Sequence, residues 1–115
     1  MIKIKHVADS QICVIDPITD RLTAANATSF KDEVWQLIDK GEYRLVIDLT
    51  GVAFVDSSAI GALVGILKRL GNRGEIVVCG LSGSVDKMFR ITRMDRVFPT
   101  YPNSAEAAAA LSERL

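Results

Sequence analysis

The 115-residue chain has no surplus of either charge, with 14 Lys and Arg against 14 Asp and Glu. A nucleic-acid binder draws affinity from neutralising phosphates with a basic excess, so direct DNA or RNA binding is not expected. Long apolar runs are also missing. None approaches the roughly 20 residues needed to span a bilayer. The opening Met1-Ile2-Lys3-Ile4-Lys5 alternates where a signal peptide would present a solid apolar block. The expectation is a cytoplasmic protein without membrane insertion. Cysteine is scarce: Cys13 and Cys79 both sit in apolar stretches, and without an export signal they are expected as buried free thiols rather than a disulfide. The single histidine, His6, shares no ligand spacing with them, so neither a metal site nor a cofactor is expected. A serine nucleophile would lack a base, and no G-x-S-x-G elbow surrounds Ser57 or Ser58. No catalytic residue is assigned and an enzyme is not expected.

What the chain does have is apolar content, at 49%, which is too much for disorder over most of its length. Its size suits one domain, and no linker or fixed-period repeat divides it. Ile2, Ile4 and His6 alternate with Lys3, Lys5 and Val7 as in an edge strand. Asp9-Ser10-Gln11 turns into a second strand over 12–15, Pro17 stops it, and 16–23 reads as a polar loop. A helix fits 24–40, with Phe30, Val34, Leu37 and Ile38 as its stripe, Thr23 capping the first turn and Gly41 ending it. The run 45–49 is almost wholly apolar, as in a strand covered on both faces. Residues 52–55 lead into a helix over 57–70, closed by Gly71-Asn72-Arg73-Gly74. A buried strand at 76–79, a helix at 84–92, a short strand at 97–100 and an Ala-rich helix over 104–114 follow, the last with Ala108, Leu111 and Leu115 on one side. Strands alternating with helices imply an α/β layer fold, parallel after the opening hairpin.

The stretch 48–63, DLTGVAFVDSSAIGAL, places small polar residues where a buried strand ends and a helix begins. That edge of an open α/β sheet is where function usually sits. Asp56 and Ser57 are both good helix caps, and a cap alone would account for the cluster. At about 100° per residue, Ile60, Leu63, Val64 and Leu67 centre on one direction, the expected core. Ser57 lies within a quarter-turn of it, leaning inward. Ser58 points nearly opposite, in line with Ala62, Gly65 and Arg69, on a flat face of small residues with Ile66 nearby. Ile66 either belongs to that accessible face or packs sideways on a neighbouring helix.

Asp48-Leu49-Thr50-Gly51-Val52 followed by Phe54-Val55-Asp56-Ser57-Ser58-Ala59-Ile60-Gly61 resembles the signature of bacterial anti-sigma factor antagonists of the STAS domain family. Arg21-Leu22-Thr23-Ala24-Ala25-Asn26-Ala27 resembles that family's entry to its first helix, and Asp95-Arg96-Val97-Phe98 its entry to the last strand. The resemblance implies a single STAS domain over 1–115, with a mixed four- to five-stranded sheet and about four helices. It also implies that the second serine, Ser58, is the phosphoacceptor, with Asp56 and Ser57 supporting it. In the family the unphosphorylated form binds an anti-sigma factor that is also a serine kinase, freeing a sigma factor. The kinase phosphorylates the antagonist and releases it, and a metal-dependent phosphatase restores it. The docking surface is expected to include Asp20, Arg21, Thr23, Ala59, Ala62, Gly65 and Ile66, on a monomer or weak dimer. Many relatives carry Asp where this chain has Thr23, and Gly at the positions of Asp20 and Ala59, departures that bear on partner identity. Other STAS relatives serve as non-switching scaffolds in stress-sensing complexes or lipid transport machinery, and would use the same helix face for permanent docking.

Two further features read as structural. Gly80-Leu81-Ser82-Gly83-Ser84 lacks the phosphate-binding Lys of a Walker loop and reads as a strand-to-helix connection. Arg90, Arg93 and Arg96 read as the solvated end of a helix, where cations are favourable.

Overall fold

The computed structural model describes residues 2–113. Arg114 and Leu115, expected at the end of the last helix, lie outside the described residues. The elements run β1 (Lys3–His6), β2 (Ile12–Asp16), β3 (Arg21–Leu22), α1 (Ala27–Asp39), β4 (Arg44–Asp48), β5 (Phe54–Val55), α2 (Ser57–Leu70), β6 (Glu75–Cys79), α3 (Gly83–Ile91), β7 (Thr100–Tyr101) and α4 (Ser104–Ser112).

The main sheet has five strands in the order β1-β2-β4-β6-β7. Only the β1–β2 hairpin is antiparallel; the other pairings are parallel, each made through a helical crossover. This is the mixed α/β sheet with four helices that the STAS resemblance implies. One face of the sheet packs on α1, α2 and α3 through Ile15, Leu45, Ile47, Phe30, Val34, Leu63, Ile66 and Phe89. The other packs on α4, where Ile12, Val46, Val77 and Cys79 meet Ala107, Ala108 and Leu111. Burial on both faces is why β4 reads as a near-continuous apolar run. Among the described residues, no helix is long and apolar enough to cross a membrane.

Cys13 and Cys79 are free and buried. They contribute to opposite faces of the sheet and sit on strands with β4 between them. Two strand spacings come to roughly 10 Å, beyond the ~7 Å that a disulfide spans between Cα atoms. Burial pushes the Cys13 thiol up to about 11, helped by the Glu42 carboxylate. Burial likewise pushes Cys79 up to about 12, with the charge and hydrogen bond of Asp48 adding to it. Both are therefore neutral thiols at physiological pH.

The structure departs from the sequence expectations in three places. The loop expected over 16–23 contains a two-residue strand, β3, which pairs in parallel with β5. Helix α1 starts three residues late, because Ala24, Ala25 and Asn26 form a separate turn in which the amides of Asn26 and Ala27 both donate to the Thr23 carbonyl. The strand expected at 97–100 is displaced to Thr100–Tyr101 by a 3-10 turn at Met94–Arg96 that places Arg93 at φ 63°. Arg90 of the basic trio is ion-paired with Asp86 at 3.0 Å. The two serines of the 80–84 connection donate to the carbonyls of Val52 and Ala53, so that loop braces the segment entering α2.

Gly80 sets the spacing of this region. It has φ +71°, and a Cβ there would lie 2.1 Å from Thr50 Oγ1 and 2.9 Å from the Thr50 backbone. Thr50 cannot retreat, since its amide and hydroxyl both donate to Asp48 Oδ1, at 3.0 and 2.6 Å. Gly80→Ala is expected to cost at least about 2 kcal/mol, from left-handed strain plus a backbone clash. Gly83→Ala, with open space around its Cβ at the start of α3, should be neutral or stabilising by up to about 1 kcal/mol. Urea midpoints of the two variants measured side by side check both values.

Candidate functional site

Beyond the C-terminal ends of β2 and β4, two distant stretches of chain are stitched together. The Asp20 carbonyl accepts from the amides of Ala53 and Phe54, at 2.7 and 3.3 Å, and the Leu22 carbonyl from Asp56 N at 3.2 Å. These bonds make the β3–β5 ladder, with Arg21 opposite Phe54 and Leu22 opposite Val55. The Arg21 guanidinium lies 4.5 Å above the Phe54 ring, a cation–π contact on the surface. Asn26 ties the loop from the other side: its Oδ1 accepts from Thr23 N at 2.9 Å and its Nδ2 donates to the Arg21 carbonyl at 2.9 Å. The Thr23 hydroxyl accepts from Ala25 N at 3.2 Å, so Thr23 caps the turn before α1 rather than α1 itself.

Asp56 is the junction between the two stretches. It is the N-cap of α2, with Oδ1 accepting from Ala59 N at 3.1 Å. Its other oxygen accepts from Ala24 N at 3.1 Å, 32 residues away in sequence. One carboxylate thus caps α2 and anchors the turn leading into α1. An aspartate suits both tasks because its two oxygens accept independently, and each bond is charge-assisted.

Ser58 is exposed, as expected, on the first turn of α2. It lines a groove of about 370 Å³ between α1 and α2, with Ala24, Ala27, Thr28, Lys31, Gly61 and Ala62. Ser57 does not lean inward; it is exposed, and Asp56 alone caps the helix. Asp20 and Arg21 are exposed and Thr23 is half-buried, so the loop half of the expected docking surface lies beside the start of α2.

The helix half of that surface is corrected. Ala59 is 2% exposed, Ala62 6% and Ile66 0%. Gly65 is half-buried, with the Lys31 stem over its Cα and the Trp35 indole N–H donating to its carbonyl at 3.1 Å. These four cannot form an open docking face, because α1 lies along them. The buried arc of α2 is rotated by about a quarter-turn from the expected direction, leaving Val64 and Leu67 only half-buried. Alanines and glycine read as featureless in a hydrophobic pattern, yet small side chains are what let two helices approach closely.

Sequence reasoning missed Phe54, 37% exposed, and Ile18, 54% exposed at φ 53°. The Ile18 amide donates to Asp16 Oδ1 at 2.8 Å, in a turn that projects the side chain outward. A positive φ at a β-branched residue leaves no signal in composition or spacing. Among the described residues, the one group of three metal-ligating side chains, His6, Cys13 and Glu42, lies at the opposite end of the sheet.

The STAS domain family model matches residues 3–107. The Bordetella bronchiseptica protein named anti-sigma factor antagonist BtrV is 36% identical over 90 residues, 77% of either chain. The anti-sigma-B factor antagonist of Listeria monocytogenes is 35% identical over 83 residues, 70% of this chain and 71% of its own. The solved structure of an anti-sigma-factor antagonist (STAS) domain protein from Planctomyces limnophilus superposes with a TM-score of 0.82 at 29% identity, over 96% of both chains.

The double use of Asp56 makes a measurable prediction. Asp56→Ala should cost more than a single cap, about 2–3 kcal/mol. Asp56→Ser, which keeps a cap acceptor but not the reach to Ala24, should fall between that variant and the parent. Chemical denaturation of the three proteins gives the ranking; an Asp56→Ser variant as stable as the parent would mean that the Ala24 bond contributes nothing.

Proposed function

The chain belongs to the STAS domain family, and from that premise we propose that it is an anti-sigma factor antagonist controlled by phosphorylation of Ser58. In this reading the unphosphorylated protein binds an anti-sigma factor that is also a serine kinase, and a sigma factor is released. The kinase phosphorylates Ser58 and the complex separates; a metal-dependent serine phosphatase resets the cycle. The chain acts by binding, and its relatives named as anti-sigma factor antagonists support that role.

The observation that carries the reading is the exposure of Ser58 on the first turn of α2, beside the stitched loop. A kinase must reach that hydroxyl, and a partner covering the patch must feel what is attached to it. The docking surface proposed here is Asp20, Arg21, Thr23, Phe54, Ser57, Ser58 and Gly61, with Ile18 projecting nearby.

The physics of the switch is asymmetric. Phosphate adds about −1.5 to −2 charges. At a helix N-terminus an anion is tolerated, typically by about 0.3–1 kcal/mol. Ser58 follows Ser57 directly after the N-cap, ahead of the first intrahelical bond from Ile60 N to the Asp56 carbonyl at 3.2 Å. The fold therefore accepts the modification. A partner's surface pressed against the same spot does not: a misplaced charge in an interface costs several kcal/mol, and about 1.4 kcal/mol is tenfold in affinity.

Incubation with candidate anti-sigma kinases and ATP, followed by site mapping, should place phosphate on Ser58 and leave labelling intact in Ser57→Ala. Ser58→Ala should bind the kinase constitutively, and Ser58→Asp about a hundredfold or more weaker, as expected from roughly 2.8 kcal/mol. Equal affinities for the two variants would favour permanent docking, as in a non-switching scaffold, over the switch.

A further inference from the structure

At the end of the sheet remote from Ser58, three side chains of different chemistry converge. His6 and Cys13 are directly opposed residues of the antiparallel β1–β2 hairpin, which puts their side chains on one face with Cβ atoms about 4.5–5.5 Å apart. Glu42 arrives from another direction. It follows Gly41, whose φ of 103° turns the chain out of α1, and its amide donates to the Leu37 carbonyl at 3.0 Å. That turn brings Glu42 Oε2 to 2.5 Å from His6 Nε2. The His6 nitrogen, the Cys13 sulfur and a Glu42 oxygen all lie within 4.8 Å of one another.

We propose that His6, Cys13 and Glu42 form a Zn²⁺ site, with the fourth coordination position open to water or to a ligand from solvent. The donor set argues for this metal. A thiolate and an imidazole exclude Mg²⁺ and Ca²⁺, which take oxygen ligands, while Zn²⁺ accepts S, N and O in one tetrahedron. The dimensions also fit. Tetrahedral bonds of about 2.0–2.3 Å place the donors about 3.3–3.8 Å apart, so the His6–Glu42 pair need open by only about 1 Å to admit the ion. Those two side chains are free to move, being 50% and 25% exposed, whereas Cys13 is fully buried beneath them. The rigid sulfur is the floor of the site and the His6–Glu42 pair its lid. On binding, the Cys13 Sγ–H bond gives way to an Sγ–Zn bond and the proton leaves to buffer. The proton shared between His6 Nε2 and Glu42 Oε2 passes to Nδ1 or to buffer, which frees the Nε2 lone pair and the carboxylate oxygen to bind the metal. The result is a clamp joining the edge hairpin to the turn between α1 and β4, independent of any role of Ser58.

Titration of metal-free protein with Co²⁺ should produce a near-ultraviolet thiolate charge-transfer band and intense visible bands of tetrahedral cobalt, both displaced by Zn²⁺. The charge-transfer band should vanish in Cys13→Ser and persist in Cys79→Ser. His6→Gln and Glu42→Gln should each weaken Zn²⁺ binding by about tenfold or more. Zn²⁺ should raise the Tm of the parent but not of His6→Gln, since a ligand bound only to the native state stabilises by mass action. Absence of the band in the parent, its persistence in Cys13→Ser, or unchanged Zn²⁺ affinity in both His6→Gln and Glu42→Gln would overturn the assignment. If Cys13→Ser does not fold, the two exposed variants decide it alone.

Discussion

The site depends on one carboxylate serving two backbone amides. Without Asp56, the first turn of α2 and the turn before α1 would be separate surface features, each with an orphan donor. With it, they are fixed relative to one another, and the β3–β5 ladder locks the segments in register. A partner then meets one surface rather than two loops, and the side chains on it are pre-positioned. Pre-positioning lowers the ordering cost that binding would otherwise incur. The same arrangement explains why two residues of strand suffice for β3. Its position rests on Asp20, Leu22 and Asn26 contacts around it as much as on the ladder itself.

Behind this junction the packing of α2 against α1 decides which residues a partner can touch. Ala59, Ala62 and Ile66 are committed to the interior, and the Trp35 indole closes over Gly65. That leaves a narrow strip of α2, Ser57, Ser58 and Gly61, flanked by the exposed Phe54 and the Arg21 guanidinium that lies over it. An exposed aromatic with an arginine beside it is the composition seen at interface anchors, and it sits next to the serine rather than along the helix. The proposed recognition surface is thus the mouth of α2 and the loop, not the helix face.

Much of the fold was legible because its determinants are local. The apolar runs of β4 and β6 have no alternation to hide, and α2 was located to its end residues because Asp56 and Gly71 mark both boundaries. Ser58 stood out because its position on the helix depends only on the helical repeat. What stayed illegible depends on contacts between distant segments. The β3–β5 ladder pairs residues some 30 positions apart with only two residues in each strand, too short for a periodic signal. The rotation of the buried arc of α2 comes from α1, whose position no local pattern specifies. His6 and Cys13 were each visible, but their convergence needs the hairpin register, and Glu42 joins them only through the left-handed turn at Gly41.

The two ends of the sheet divide the work that chemistry can do here. Where the parallel strands finish, helix N-termini and free loop backbone favour an anion, and Ser58 is placed where a phosphate would meet the positive end of α2. Where they begin, a strand-borne thiol, an imidazole and a carboxylate favour a cation. Between them lie the apolar contacts of β4, β6 and their helices, with no buried polar or charged residue among those described. A hydrophobic layer of this kind resists rearrangement because it is close-packed. A charge added at Ser58 would therefore act on whatever touches that surface and leave the fold as it was. This is the behaviour that the proposed switch requires: the antagonist must be recognised again, unchanged, once the phosphate is removed.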